Sequence, residues 1–426
     1  MEKEKREANR NTGLRAWMEL REEHLAANLS CLRKCLNAGA DIMAVVKADG
    51  YGHGAEKVSR ALEQMGVRAF AVATLEEGIL LRRAGIRGKI LILGYTDPAA
   101  WPELARYSLI QTVVDASHGE ELNRQTGVAL PVHLKIDTGM NRLGISWRKR
   151  EEIGRMFRLG RLQPEGVYSH LCVADSKEPE DQMFTRLQIR RFRQTVNFIH
   201  RMGYREVISH LQSSYGLICY PEAGFDFARP GIALYGVLSS PDQKLKKKLG
   251  LKPVLSLRAR VAAVKELRPG DTVGYGRAFT AAKPMRIADV TMGYCDGLPR
   301  NLRDGRVLLR GKSCRLIGRI CMDQCTVDVT EVPEIRAGDT VTFIGTDGNL
   351  EITAEEVAEK AGTITNELLS RLGSRLERIW IGGNDGKEGE QAARRRDNGK
   401  ERQAEYPMEK ATVRRGEKAP ERSVLL

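Results

Sequence analysis

No apolar run in these 426 residues is long enough to cross a bilayer, and the opening segment, Met1 to Arg10, is dense in charge. Neither a membrane anchor nor a secretory leader is therefore expected. Among eight cysteines and seven histidines no Cys-x-x-Cys or His-x-x-x-His pair suggests zinc, and no metal is expected. The cysteines are scattered, several of them (Cys172, Cys219, Cys321) within apolar strand-like stretches, and a reducing cytoplasm is the simplest setting. No Gly-x-Gly-x-x-Gly follows a strand-like run, so a dinucleotide fingerprint is missing. Aromatic residues make up only 6%, whereas 42% hydrophobic residues is ordinary for a soluble globular chain. Acids are outnumbered, giving a net charge of +14. Lysines and arginines are nevertheless interleaved with acids, and no nucleic-acid module is present, so no nucleic-acid partner is expected. The densest basic cluster, Lys244 to Lys248, reads as a solvated loop between domains; a basic mouth that draws in anions is the other reading.

What is there is a regular alternation of strand-like and helix-like patterns between roughly residues 20 and 240. Short apolar runs lie at Asp41 to Lys47, Ala69 to Thr74, Lys89 to Gly94, Leu109 to Val114, Pro131 to Ile136, Pro164 to His170, Val207 to Leu211 and Gly231 to Tyr235. Helical spacing appears over Glu22 to Leu36, Ala55 to Leu62, Leu75 to Arg83 and Asp181 to Met202. About eight strand–helix units of this kind predict a parallel (β/α)8 TIM-type barrel, with an open doubly wound sheet as the alternative. Beyond Ser239-Ser240-Pro241 the texture changes to short strands with glycine turns, which predicts an all-β domain. Two helical patterns, Thr353 to Ala361 and Asn366 to Leu372, fall inside it, and Trp17 to Leu20 could lend it a strand from the other end of the chain. The expected organisation is a charged extension (1–12), the barrel (13–245), the β domain (246–381) and a tail (382–426). The tail has too little apolar surface to offset its ordering entropy and reads as disordered.

In such a barrel the C-terminal strand ends carry the chemistry. Reading them off gives Lys47, Lys135 with Asp137, His170, His210 to Ser214, and Arg229. Lys47 is the most informative of these. A buried-strand pattern, Ala44-Val45-Val46, delivers it into the glycine-rich turn Ala48-Asp49-Gly50-Tyr51-Gly52-His53-Gly54. A lysine desolvated there gives up its proton more easily, and a neutral amine can condense with an aldehyde.

Lys47 with Tyr51-Gly52-His53-Gly54 resembles the cofactor-lysine segment of the alanine racemases. The resemblance recurs in order over roughly residues 14 to 380, in His133 to Gly144, Tyr168-Ser169-His170, Arg229-Pro230-Gly231 to Gly236, Val273-Gly274-Tyr275-Gly276, Gly293-Tyr294-Cys295-Asp296-Gly297 and Gly318 to Gln324. That family pairs a barrel with a β domain. The resemblance implies that Lys47 holds pyridoxal phosphate as a Schiff base and acts as one acid/base, with Tyr275 as the second. In the family this tyrosine serves the neighbouring subunit, which implies a homodimer. Arg229 would face the pyridine nitrogen with His170 in support. Tyr51, Ser214 and the backbone of Gly231 and Ile232 would bind the phosphate. Arg142 and Met322 would meet the substrate carboxylate, and Lys135 matches a lysine that is often carbamylated. The implied reaction interconverts L- and D-alanine and supplies cell-wall precursors.

Two departures bear on the substrate. Ser213-Ser214 replaces the more usual Asn-Ser, and the sequence alignment puts Ser374 where alanine racemases carry a tyrosine near the substrate. Gln212 to Gly216 and Asn366 to Leu376 look most like the racemase domain of the serine racemases associated with vancomycin resistance. Those relatives have an N-terminal membrane domain, so a free-standing version is expected here, with serine or dual activity as the alternative to alanine. A non-catalytic pyridoxal-phosphate carrier fits less well because such carriers generally lack the β domain. A barrel decarboxylase for basic amino acids fits the Gly-Tyr-Gly, Cys-Met-Asp and Arg229 contexts poorly.

Overall fold

The computed structural model describes residues 13–239, 241–302 and 304–382. The charged extension and nearly all of the tail read from the sequence lie outside these residues. Strand β1 (Ala16–Arg21) opens the described chain. Then come β2 (Asp41–Val45), β3 (Ala69–Val72), β4 (Lys89–Ile92), β5 (Ile110–Val113), β6 (Leu130–Asp137), the two-residue β7 (Ile145–Ser146), β8 (Leu162–Tyr168), β9 (Ile208–His210) and β10 (Phe227–Ala228). Apart from β7, the strands from β2 to β10 pair in parallel around a closed ring, β10 returning to β2 and β5 to β6. Val, Ile, Leu and Ala fill these strands because both faces are covered, by the barrel interior and by the helices outside. The Thr74 and Asp115 side chains cap the helices Leu75–Arg83 and Ala116–Gln125, each accepting from the backbone N–H three residues on.

The β domain contains β11 (Leu255–Leu267), β12 (Thr272–Val273), β13 (Phe279–Thr280), β14 (Met285–Val290), β15 (Arg306–Leu309), β16 (Lys312–Ile317), β17 (Cys325–Asp328), β18 (Thr340–Asp347), β19 (Leu350–Ile352) and β20 (Glu377–Ile381). Strands β11, β14, β17, β16, β15 and β18 close on one another in antiparallel pairs. The segment Trp17 to Leu20 does join this sheet, since β1 runs antiparallel to β11 and parallel to β20. Among the described residues no helix is long and apolar enough to cross a membrane.

Two expectations fail. Gly231 to Tyr235 is not a strand: Ile232–Tyr235 forms a 3-10 turn, and the eighth barrel strand is the short β10 before it. A short apolar run bounded by Pro230 has no periodicity that separates a buried strand from a buried helical turn. Lys244 to Lys248 is not a solvated loop either. It lies on the helix Gln243–Leu249, where Lys246 is buried and pairs at 2.9 Å with the buried Glu355 of the helix Ala354–Lys360. The same Glu355 oxygen accepts from Leu238 N–H at 3.1 Å, so one carboxylate ties the last barrel turn to the β domain.

Candidate active site

Val45 and Val46 are buried where β2 ends, and Lys47 emerges from them half-buried. The chain then makes a left-handed turn: Ala48, Asp49, Gly50 and Tyr51 have φ of 52°, 52°, 63° and 52°. Only glycine adopts this conformation freely, and each of the three other residues costs about 1–2 kcal/mol. That strain is held by neighbours on both sides. The Glu77 carboxylate accepts from Ala48 N–H at 2.7 Å and from Ala73 N–H at 2.6 Å. Asp49 Oδ1 accepts from Ala55 N–H at 2.8 Å, fixing the helix that follows. Burial lowers the Lys47 pKa, with the Arg142 charge adding to the effect and Glu77 opposing it.

Lys47 opens into a cavity of about 590 Å³ at the C-terminal ends of the barrel strands. Tyr51, Lys135, Arg142, His170, Ser214, Arg229, Gly231 and Ile232 also line it, so nine of the residues singled out in the sequence meet in one place. The lining holds four basic side chains, Lys47, Lys135, Arg142 and Arg229, against a single carboxylate, Asp175. A cavity of this charge favours anions. At one end, Ser214 Oγ accepts from Gly231 N–H at 3.0 Å and from Ala233 N–H at 3.3 Å, leaving its own proton free to donate. Tyr51 stands against Gly231, and burial pushes its hydroxyl pKa up to about 12.

At the other side Arg229 is buried, and among the described residues no carboxylate pairs with it. Its guanidinium donates instead to His210 Nδ1 at 2.7 Å, Ser169 O at 2.7 Å, Leu211 O at 3.1 Å and His170 Nδ1 at 3.3 Å. Because His210 Nδ1 accepts from Arg229, its Nε2 carries the proton and donates to His133 Nδ1 at 2.8 Å. Burial, with Arg229 next, holds the pKa of both His170 and His210 well below the usual histidine range. Burial also brings Arg229 down to about 10, still protonated at neutral pH. Lys135 is buried above the Tyr168 ring, and burial together with Arg229 and Arg142 lowers its pKa to about 7.

Three sequence candidates are elsewhere. Tyr275 and Met322 are exposed on the β domain, at 70% and 52%, and do not line the cavity. Ser374 is also exposed and absent from the lining. The residue from that stretch that does reach the cavity is Asn366, in the first turn of the helix Thr365–Ser370, next to Ile364. Ser374 follows the C-terminal end of this helix in the chain. From this stretch Asn366 lines the cavity and Ser374 does not. Sequence reasoning also passed over Glu77, Tyr168 and Arg378. Tyr168 alone had a signal, as a strand-end residue next to His170.

Comparison with known proteins agrees with this arrangement. Residues 20–239 match the model of the alanine racemase N-terminal domain, and residues 254–380 match that of the alanine racemase C-terminal domain. The chain belongs to the alanine racemase family. Pyridoxal phosphate is the cofactor of that family. An amino-acid racemase of Enterococcus faecalis is 42% identical over 367 residues, 86% of this chain and 51% of the relative. A serine/alanine racemase of Enterococcus gallinarum is 40% identical over 364 residues, 85% of this chain and again 51% of the relative. The chain thus spans about half the length of these curated relatives. The solved alanine racemase of Streptomyces coelicolor A3(2) superposes with a TM-score of 0.80 at 35% identity, covering 87% of this chain and 99% of that one.

Proposed function

We propose that this protein is a pyridoxal-phosphate-dependent racemase that interconverts L- and D-alanine. The observation that carries the reading is the partly desolvated Lys47, set at the start of a strained turn in a cavity that it lines with Arg142, Arg229 and Lys135 against one carboxylate. The residues present fit the cofactor. Ser214 Oγ has a free proton to donate, and the close approach of Gly231 to Tyr51 leaves a cradle that a side chain would fill, both suited to a phosphate that brings its own negative charge. The Lys47 amine is a nucleophile suited to an aldehyde. Bound there, the cofactor supplies an electron sink that acidifies the substrate Cα–H.

The chain's own groups do the rest. Lys47 Nζ exchanges a proton on one face of the substrate Cα, and Tyr275 Oη of a partner subunit exchanges one on the other. Racemisation needs both, because one face loses the proton that the other gains. The exposure of Tyr275 and Met322 supports a homodimer in which they complete the neighbouring cavity. Arg142 binds the substrate carboxylate as an ion pair, and a carbamylated Lys135 orients Arg142. Arg229, protonated and held by four acceptors, would present a fixed cation to the ring nitrogen and restrain the electron sink, which would limit side reactions such as transamination. His170 supports it. The product, D-alanine, would serve cell-wall synthesis in the cytoplasm.

A second reading, serine or dual racemisation of the vancomycin-resistance type, is favoured by Asn366. Its Oδ1 is buried without a hydrogen-bond partner while the residue lines the cavity, so it can accept from a substrate hydroxyl. The test is to incubate purified protein and pyridoxal phosphate with L-alanine or L-serine and quantify the D-enantiomers chirally. Faster alanine turnover supports the first reading, comparable or faster serine turnover the second, and no racemisation with the cofactor bound refutes both.

A further inference from the structure

We infer that Arg378, on the last strand of the β domain, is a positioning residue that holds the left-handed turn after Lys47 and so sets the aim of the lysine. The inference rests on the reading of Lys47 as the cofactor and proton-transfer lysine. Arg378 does not line the cavity. Its guanidinium grips the turn at two points: Nη2 pairs with Asp49 Oδ2 at 2.7 Å, and Nε donates to Gly52 O at 2.9 Å. Asp49 lies inside the left-handed run and Gly52 closes it, so one planar fork spans most of the strained backbone.

The fit around the turn is close. A Cβ on Gly54 would lie 3.2 Å from Arg378 Cδ, and one on Gly52 would collide with the Leu369 carbonyl of the helix whose first turn places Asn366 at the cavity. Arg378 in turn is fixed by β20, where it sits opposite Met18 of β1. Glu77 secures the barrel side of the same turn, at the Ala48 N–H. The lysine therefore leaves a backbone that the barrel and the β domain hold jointly, and removing the β-domain grip lets the left-handed residues relax toward ordinary conformations. A misplacement of about 1 Å in a reacting group costs up to about 100-fold in rate.

The test uses the full-length holoenzyme and the variants Arg378→Gln, Asp49→Asn and their combination. Asp49→Asn keeps the bond to Ala55 N–H and a residue that tolerates positive φ, but removes the charge. Steady-state kcat and KM for L-alanine are read by chiral quantification, alongside the pH titration of the absorbance band of the lysine-bound cofactor. Each single variant should lose about 10- to 100-fold in kcat with KM nearly unchanged and a shifted band titration, and the double variant should lose little more than either. Adding Ala48→Gly to Arg378→Gln should recover part of the loss, because glycine removes strain at φ 52°. Single variants with kcat close to wild type, losses that multiply in the double variant, or no recovery with Ala48→Gly would overturn the inference. If Arg378→Gln does not fold, Asp49→Asn decides alone, since Asp49 is half-exposed. Borohydride trapping and peptide mapping of the wild type separate the two claims. Cofactor found on a residue other than Lys47 sinks the underlying reading, whereas cofactor on Lys47 with unaffected variants sinks only the role of Arg378.

Discussion

Gly231→Ala probes the phosphate end of the cavity with a single methyl group. The added Cβ would lie 3.0 Å from Tyr51 Cζ and closer still to Oη. Comfortable contact begins at roughly 3.5 Å, so the Tyr51 hydroxyl must retreat by about 1 Å. The ring cannot swing freely, because it packs against Tyr235 at 5.3 Å between centroids and is buried. A hydrogen bond lengthened by that much is lost, and overpacking of this kind adds a strain of about 1–3 kcal/mol. Part of the strain falls on the folded state and part on the bound cofactor, so cofactor affinity should fall by about 1.4–2.8 kcal/mol, or 10- to 100-fold. Titration of the apoprotein with pyridoxal phosphate, followed by absorbance, measures this directly. kcat at saturating cofactor should change much less than the cofactor Kd. A Kd for Gly231→Ala indistinguishable from wild type would show that Tyr51 and Gly231 do not bind the phosphate.

Three further outcomes are expected. Lys246→Met leaves the buried Glu355 carboxylate unpaired and should cost about 3–5 kcal/mol of stability, while Lys246→Met with Glu355→Gln, which keeps an acceptor for Leu238 N–H, should recover most of it in thermal melts. Lys135 has its pKa lowered from 10.5 to about 7 in the fold, so between those values the unfolded chain binds a proton that the folded chain has released. Stability should therefore rise with pH across that window and carry the full penalty below it. The difference in Tm between wild type and Lys135→Met in bicarbonate-free buffer should show this slope, and a flat difference would contradict it. Asn366→Leu removes the unpartnered amide oxygen offered to a substrate hydroxyl and should lower the serine-to-alanine ratio of kcat/KM by about 10-fold, with an unchanged ratio counting against the second reading.

Much of this was legible in the sequence because barrel chemistry sits at strand ends, and strand ends can be read from apolar runs. Lys47, Lys135 and His170 were reached that way, and the cavity brings them together with Arg229, which precedes the run misread as a strand and follows the true one, β10. What escaped depends on tertiary neighbours. The lysine-rich stretch at 244–248 carries no local sign that Lys246 turns inward, because its partner Glu355 lies 109 residues away. Arg378 reads as one more arginine in a short strand; its meaning comes from a turn 326 residues earlier in the chain. Asn366 and Ser374 sit in the same stretch, and nothing local in the sequence marks Asn366 as the one that lines the cavity. The left-handed turn itself was half visible: Gly50, Gly52 and Gly54 announced unusual backbone, but nothing announced that Ala48, Asp49 and Tyr51 would share it.

The most direct test of the account is a heterodimer of Lys47→Ala and Tyr275→Phe chains, co-expressed with different affinity tags and assayed for D-alanine formation. Each parent homodimer should lose about 10²- to 10⁴-fold in rate, as expected when an acid/base group is removed. If Lys47 of one subunit works with Tyr275 of the other, the heterodimer contains one doubly damaged site and one intact site, and should recover roughly half the wild-type rate. A heterodimer as inactive as its parents would contradict the shared two-base site.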